Sequence, residues 1–407
     1  MSTKMKPALV PKLRFPEFRD ADPWKDVPID GILVVRDERR VPSEEAPLFS
    51  LTIESGITEK TDRYNREFLV RDTGKKYKLV EPNDIVYNPS NLRWGAINYS
   101  QLSHSVVVSP IYEVLSLGDE SKHCLEFIAS AAMRSEQIRR FITKAQGTLV
   151  ERIAVKIEDF RSTKLPVPPT RTEQKKIADC LSSVDELMAT QARKVDALKT
   201  HKKGLMQQLF PREGENQPRL RFPEFQNAGE WKVKAIDDVF QVTRGEVLAM
   251  TLVKDEASNE MPYPVYSSQT KSKGLAGYYS DYLYRDAITW TTDGANAGDV
   301  NFRSGRFYCT NVCGVLLNTD GYANECIAAM LNTVTRSHVS YVGNPKLMNG
   351  VMAKIKIPFP SVAEQQRIAE CLGGLDDLIA AEMQNLEILK THKKGLMQQL
   401  FPSPEEN

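Results

Sequence analysis

The sequence predicts an α+β (mixed α/β) protein in which two globular domains are separated and joined by two long helices. Three observations lead there. The string LKTHKKGLMQQLFP at 198–211 recurs letter for letter at 389–402, an offset of 191 (389 − 198). A run of that length does not repeat by chance, so the chain contains an internal duplication. Each copy closes a long stretch with heptad-like apolar spacing, and the segments between mix short β-like runs with turns.

The helices come first because they carry the strongest signal. Ile177, Leu181, Val184, Met188, Val195, Leu198, Leu205 and Leu209 alternate at four- and three-residue steps, the seam of a coiled coil. Ile368, Leu372, Leu375, Ile379, Leu386, Leu389, Leu396 and Leu400 repeat it, and the polar breaks match as well, Gln191 with Glu382 and Lys202 with Lys393. Thr170 to Glu173 and Ser361 to Glu364 read as capping boxes, each after a proline-bearing string, LPVPP or IPFP, that resists helix. Both patterns stop at Phe-Pro. A helix over 171–209 would span about 58 Å at about 1.5 Å per residue. Such a stripe needs cover, either from its own domain or from the other helix. Matched seams favour the second arrangement, without fixing whether the pair runs parallel or antiparallel.

The entry to each copy is duplicated too. PKLRFPEF at 11–18 returns as PRLRFPEF at 218–225, an offset of 207 (218 − 11), and Trp24-Lys25 returns as Trp231-Lys232. The expected division is a first domain over 1–169, a first long helix over 170–211, a second domain over 212–360, and a second long helix with a C-terminal tail over 361–407. Inside the first domain, 31–35, 84–87 and 105–108 read as strands and 125–143 as helical. Inside the second, 287–291 and 307–317 read as strands and 324–332 as helical.

Composition narrows the function classes. The 407 residues carry a net charge of +1, which gives no global pull towards nucleic acid or an anionic membrane. Residues 19–165 hold 22 basic and 23 acidic side chains, and residues 226–357 hold 13 of each, so any DNA-binding face must be local or completed by a partner. The six cysteines are scattered, include no CxxC pair, and suit buried free thiols in a reducing compartment. The N-terminus lacks an apolar signal core and no run suits a membrane span, which points to a cytoplasmic protein. There is no GxxxxGK phosphate loop, no GxGxxG after a strand and no metal-ligand cluster. Tyr87-Asn88-Pro89-Ser90 only partly matches the Asn-Pro-Pro-aromatic string of amino-methylating enzymes, because Ser90 and Asn91 replace the second proline and the ring. The chain therefore reads as non-catalytic.

Polar clusters in the two domains are the remaining candidates. The first holds 87–98, rich in Asn, Arg and Trp, plus a basic string at Arg63, Tyr64, Arg66, Arg71, Lys75 and Lys76. The second holds 266–271 with Lys273, then 292–298, Arg303 and Arg306. Loops of this composition can read base edges and grip phosphates; they are equally the composition of ordinary surface loops.

Taken together these residues resemble the specificity subunits of type I restriction-modification systems. The duplicated LRFPEF entry carries the likeness, with the helix starts at Glu173-Gln174 and Glu364-Gln365 and the KKGLMQQLFP endings. It covers essentially the whole chain, and 88–98, 291–315 and Lys346 to Asn349 resemble the family's target-recognition segments. The resemblance implies two target-recognition domains, each reading half of a split asymmetric site in double-stranded DNA. It implies a pseudo-twofold duplication with the two helices as an antiparallel coiled coil that sets the gap. Half-sites read from one face lie about 34 Å apart, one helical turn, within the length of such a spacer. It implies docking of two methyltransferase subunits, which use S-adenosylmethionine, and of restriction (motor-nuclease) subunits, which use ATP and Mg²⁺. No cofactor is expected in this chain itself.

On that basis the DNA-contact candidates are Tyr87, Asn88, Asn91, Arg93, Trp94 and Asn98 in the first domain. In the second they are Ser268, Gln269, Lys271, Asn296, Arg303, Lys346 and Asn349. Trp94 could instead pack in the core, and the asparagines could instead form turns. Lys202, Lys203 and Gln207, with Lys393, Lys394 and Gln398, form a polar strip retained in both helices and suit docking of a symmetric pair of partners. Two rivals stand beside this reading: a self-sufficient DNA methyltransferase, and a duplicated scaffold that does not touch DNA.

Overall fold

The computed structural model describes residues 8–53, 56–59, 74–144, 154–212, 214–268 and 272–402. It contains two compact units, Met1–Thr190 with Leu386–Asn407, and Gln191–Asn385. The boundaries fall inside the long helices, so each unit takes the first half of one helix and the second half of the other.

Both helices form as the heptad pattern requires, over Arg171–Leu209 and Val362–Leu400, 39 residues each. Their pairing is antiparallel. In the first unit Leu396, Met397 and Leu400 pack into the core that holds Ile177, Ala178 and Leu181, while the Lys393 ammonium donates to Asp185 at 2.6 Å. The second unit repeats this with Leu205, Met206 and Leu209 against Ile368, Ala369 and Leu372, and Lys202 donating to Asp376 at 2.5 Å. Both ways of covering the stripe are therefore used: each helix start packs on its own domain, and the end of the other helix completes the same core. Where the matched polar breaks meet, Gln191 Nε2 donates to the Glu382 carbonyl at 2.8 Å and to its carboxylate, which also pairs with Lys194 at 2.5 Å. Those hydrogen bonds, first that from Lys194, hold the Glu382 carboxyl below the usual carboxylate range.

The repeated entry turns out to be a latch. Arg14 donates from Nε and Nη2 to both oxygens of Glu173, each at 2.8 Å, and Trp24 Nε1 donates to the same carboxylate at 3.0 Å. Arg221, Glu364 and Trp231 repeat the arrangement at 2.6, 2.8 and 3.2 Å. Glu173 and Glu364 are each 1% exposed, and a bidentate guanidinium is the partner such a buried carboxylate needs. The capping boxes are accordingly half formed. Thr170 and Ser361 hydroxyls accept from the Glu173 and Glu364 amides at 3.3 Å, but the glutamate carboxylates turn to the latch instead of returning to the helix start. The neighbouring glutamines join each helix to its domain: Gln174 accepts from the Cys124 amide and Gln365 from Asn324. At the other end, the Leu13 and Leu220 amides donate to the Gln399 and Gln208 carbonyls, groups left open at a helix C-terminus.

The first unit carries a four-stranded antiparallel sheet, in the order Leu33–Val35, Glu113–Leu117, Ile85–Tyr87, Ile97–Tyr99. A three-stranded sheet, Arg39–Arg40, Tyr77–Val80 and Val106–Val108, and the hairpin Phe49–Thr52 with Gly56–Glu59 lie beside it in the chain. The single helix expected at 125–143 is two, Leu125–Met133 and Ser135–Thr143. Arg134 is extended between them (ψ 142°) and lays its guanidinium 4.7 Å from the centre of the Phe401 ring, so the break serves the socket that receives the second helix's end.

The second unit is built on a six-stranded sheet, in the order Gln241–Arg244, Cys313–Leu317, Tyr284–Thr291, Val300–Cys309, Tyr263–Tyr266, Leu275–Tyr279. One pair within it, Tyr263–Tyr266 with Val300–Cys309, is parallel. The strand expected at 307–317 is divided, because the Cys313 amide turns back to the Thr310 carbonyl at 3.0 Å. Glu325–Val334 forms a helix as expected. In both units a two-stranded ribbon joins the entry to the helix start, Lys25–Pro28 with Lys164–Val167 and Lys232–Ala235 with Lys356–Phe359. The six cysteines are free thiols, and among the described residues no helix is long and apolar enough to cross a membrane.

Candidate nucleic-acid interface

In the first unit the candidates lie on one hairpin, the strands Ile85–Tyr87 and Ile97–Tyr99 with the turn between them, which the structure sorts into buried and exposed residues. Tyr87 is fully buried, stacked on Phe160 at 4.4 Å, with its hydroxyl donating to the Val155 carbonyl at 3.2 Å. Burial pushes its phenol up. It is a core residue with no surface to offer DNA, because it ends a strand that is buried on both faces, Ile85 and Tyr87 in one core cluster and Val86 in another. Asn88 is 7% exposed and accepts from the Ser90 amide at 3.1 Å, the local turn bond open to an asparagine. Asn98, on the strand Ile97–Tyr99, accepts from the Tyr99 amide at 2.8 Å and packs its amide against Gly56.

Of the rest, Asn91 and Trp94 are exposed and Arg93 is half-buried. The Asn88 amide donates to Ala96, that of Asn91 to Asn88, and that of Trp94 to Asn91, all at 2.9–3.1 Å. Leu92 anchors the turn in the core, and Gly95, at φ 88°, closes it in the left-handed region. On this rigid base Asn91 is exposed and Trp94 is 63% exposed, with the Arg93 guanidinium 5.1 Å from the Trp94 ring centre. Core packing is therefore not the role of Trp94. Ile53 and Ile138 come within 4.0 Å of the place a Gly95 Cβ would take, so the turn, the hairpin tip and the second short helix share one surface. An exposed aromatic beside a guanidinium and an amide suits base and phosphate contact. The basic string at Arg63, Tyr64, Arg66 and Arg71 lies outside the described residues.

The second unit brings three separate chain segments together. The Gly294 amide donates to Pro345 at 3.0 Å and that of Leu347 to Thr292 at 2.9 Å, which straps the 292–299 loop to the 340–347 loop. Beside them, Lys273, Thr291, Asn296, Asp299 and Asn301 line a polar cleft of about 340 Å³. Ser272 and Lys273 both have φ 52°, a left-handed backbone uncommon for such residues, which projects the exposed Lys273 at the cleft. Asn296 and Lys346 thus belong to one surface, and Ser268 lies half-buried at the end of the strand Tyr263–Tyr266.

Two candidates in this unit have other duties. Arg303 is 8% exposed, donates to the Thr289 hydroxyl at 3.0 Å and the Lys273 carbonyl at 2.6 Å, and lies 3.7 Å from the Tyr266 ring centre. Burial pushes its guanidinium down from the ordinary arginine range. It fastens the 272–274 turn to the sheet and does not reach out to a ligand. Asn349 starts the helix Asn349–Lys354 and donates to the Thr243 carbonyl at 3.2 Å. Gln269 and Lys271 lie outside the described residues. The sequence reading placed Lys273 in the polar cluster but not among the contact candidates, and it missed Tyr341 and Val342, 69% and 91% exposed at the tip of the strapped loop. Their only signal was an apolar pair directly before the turn string Gly-Asn-Pro, with no helix or strand period around it.

On the helices the repeated strip divides the same way in both copies. Lys202 and Lys393 are held by Asp376 and Asp185 inside the helix pair, so they serve the coiled coil. Lys203, Gln207, Lys394 and Gln398 are exposed and stay open to a partner.

Comparisons with known proteins identify the family. The family description "type I restriction modification DNA specificity domain" matches residues 22–200 and again 228–391. A putative type I specificity subunit N-terminus of Mycoplasma pneumoniae is 39% identical over 144 residues, 35% of this chain and 75% of that one. A second putative type I specificity subunit of the same organism is 31% identical over 147 residues, 35% of this chain and 47% of the relative. A putative type I restriction enzyme specificity subunit of Methanocaldococcus jannaschii is 25% identical over 284 residues, 66% of this chain and 64% of the relative. The chain thus spans between about half and three-quarters of these relatives' lengths. The crystal structure of a type I restriction-modification S subunit from M. genitalium aligns with 97% of this chain and 99% of its own, at a TM-score of 0.60 and 17% identity, a likeness of fold. With both halves matched and the fold shared along nearly its full length, the chain belongs to the family of type I restriction-modification DNA specificity subunits, the non-catalytic sequence-reading components of those systems.

Proposed function

We propose that the two units read the two halves of one split, asymmetric DNA site. The first uses the turn at 88–96 with Asn91, Arg93 and Trp94, and the second uses the strapped loops that carry Lys273, Asn296 and Lys346. One observation carries this reading. An identical latch and helix framework bears two unlike sets of presented side chains, as expected if assembly is common to both halves and sequence reading is not. The long helices act as spacer and as docking site for two methylating subunits, through Lys203, Gln207, Lys394 and Gln398. S-adenosylmethionine chemistry belongs to those subunits, and ATP and Mg²⁺ to the motor-nuclease subunits. The near-neutral charge of each domain fits a chain that grips DNA tightly only inside the assembled complex.

The test is genomic mapping of N6-methyladenine in cells expressing the chain with its methylating partner. A split motif should appear, vanish when the chain is deleted, and change in one half only when 226–357 is exchanged for another member's segment. Methylation unaltered by deletion would refute the proposal and leave a scaffold role in its place.

A further inference from the structure

The exposed apolar tip at Tyr341 and Val342 lies outside any helix or strand and is nevertheless fixed from both sides. The Ser340 amide donates to Lys346 and the Lys346 amide to Ser340, both at 2.9 Å, so the five residues between them form a closed loop. Gly343, at φ 75°, makes the reversal. Below the loop, Leu347 is fully buried and its carbonyl accepts from Trp290 Nε1 at 3.0 Å, while the Gly294 and Leu347 bonds tie the loop to the segment that carries Asn296. A loop built so firmly, with a valine left 91% exposed at its end, does not gain its stability from that valine.

We infer that this tip is a groove-reading element, and that Val342 packs on the C5-methyl group of a thymine in the half-site read by Gln191–Asn385. The inference rests on the proposal that this unit reads DNA. The occupant follows from the neighbours: exposed Lys346 and half-exposed Asn296 stand on the same strapped loops and suit phosphate and base-edge contact. The thymine methyl is the one apolar group that a base pair displays in the major groove. Valine suits it, since a β-branched side chain has few rotamers to lose and a blunt end matched to a methyl. It is too short for the wedge role, which falls to phenylalanine, leucine, isoleucine or methionine. Tyr341 beside it presents a flat ring to the sugar edge and a hydroxyl to a phosphate.

The experiment uses the full chain assembled with its methylating subunits and a duplex carrying the mapped site. Each thymine of the half assigned to this unit is replaced singly by uracil, which removes only the methyl. At one position binding should weaken about fourfold, equivalent to ~0.8 kcal/mol for a methyl-sized group. In the Val342→Ala complex uracil at that position should make no further difference. A half-site with no methyl-sensitive thymine overturns the inference, and so does sensitivity that survives in Val342→Ala. If Val342→Asp weakens capture of the methylating subunit but leaves DNA affinity unchanged, the tip docks protein and the inference falls. A motif that still maps while this coupling is missing counts against the tip alone; loss of all sequence-specific methylation by the unmodified complex counts against the function proposed above.

Discussion

Phe401→Ala should unfold the first unit selectively, although residue 401 stands beyond the whole of the second unit in sequence. Phe401 is fully buried, stacked on Phe127 at 5.3 Å, edge-on to Trp24 at 5.9 Å and covered by the Arg134 guanidinium at 4.7 Å. Truncating a buried phenylalanine costs about 3–5 kcal/mol, the spread depending on how far the site collapses. Collapse is restrained here by Trp24, which is held by Glu173, and by Arg134, 6% exposed, which would lose the ring it lies on. The upper part of that range is therefore expected, with aromatic pairing worth about 0.5–1.5 kcal/mol of it. Hydrogen exchange resolved by segment is the assay. Amides of Ile85–Tyr87 and Glu113–Leu117 should lose about two to four orders of magnitude of protection, at about 1.4 kcal/mol per tenfold. Amides of Tyr284–Thr291 and Cys313–Leu317 should stay within about 0.5 kcal/mol, and Phe210→Ala should invert the pattern. If Phe401→Ala loosened Gln191–Asn385 instead, or neither unit, the assignment of each helix end to the other copy's domain would be wrong.

Glu173→Gln leaves the Arg14 guanidinium 9% exposed without its charge partner and should cost about 3–5 kcal/mol by denaturant titration, whereas replacing Arg14 and Glu173 together by apolar residues should recover much of that loss. Trp94→Ala should leave stability within about 0.5 kcal/mol, since the ring is mostly in solvent, yet weaken DNA retention by the complex about tenfold; an unchanged affinity would remove Trp94 from the interface. Charge reversal at Lys203 and Lys394 should reduce co-purification of the methylating subunit, while Lys202→Ala and Lys393→Ala, which break half-exposed ion pairs, should cost at most about 1 kcal/mol of stability. Because the folded Glu382 carboxyl titrates below its ordinary 4.5, it contributes stability above that pH and loses it as the pH falls further; stability of Gln191–Asn385 should decline below about 4.5 by pH-dependent exchange, less so in Glu382→Gln.

The long helices were legible to the residue, because a heptad stripe of 39 residues outweighs any local ambiguity. Their pairing direction was not, since antiparallel and parallel seams use the same letters. The latch was half legible. Arg14, Trp24 and Glu173 were visible as repeated residues, but a helix-start glutamate and a buried ion-pair glutamate look alike until the partner is in place. The interface was less legible for a similar reason. Tyr87 and Arg303 belong to polar-looking strings, yet both sit on strands and point inward, so their surroundings decided their roles. Trp94 went the other way, because the rigid turn from Asn88 to Gly95 lifts it out of the core. Tyr341 and Val342 carry exposure that no periodicity announces.

The letter-for-letter identity of the two helix ends has a consequence for assembly. The socket around Trp24, Phe127 and Arg134 is filled by Leu400 and Phe401, and the corresponding socket around Trp231 by Leu209 and Phe210. The two plugs are interchangeable, so a gene cut after residue 211 would encode a half-length chain that carries the plug for its own kind of socket. Two such half chains could trade tails, by the reciprocal exchange seen in domain-swapped dimers. The product would carry two equal recognition domains in place of two unlike ones and would read a palindrome instead of an asymmetric site. Fusing two different halves into one polypeptide is then what frees the two half-sites to differ.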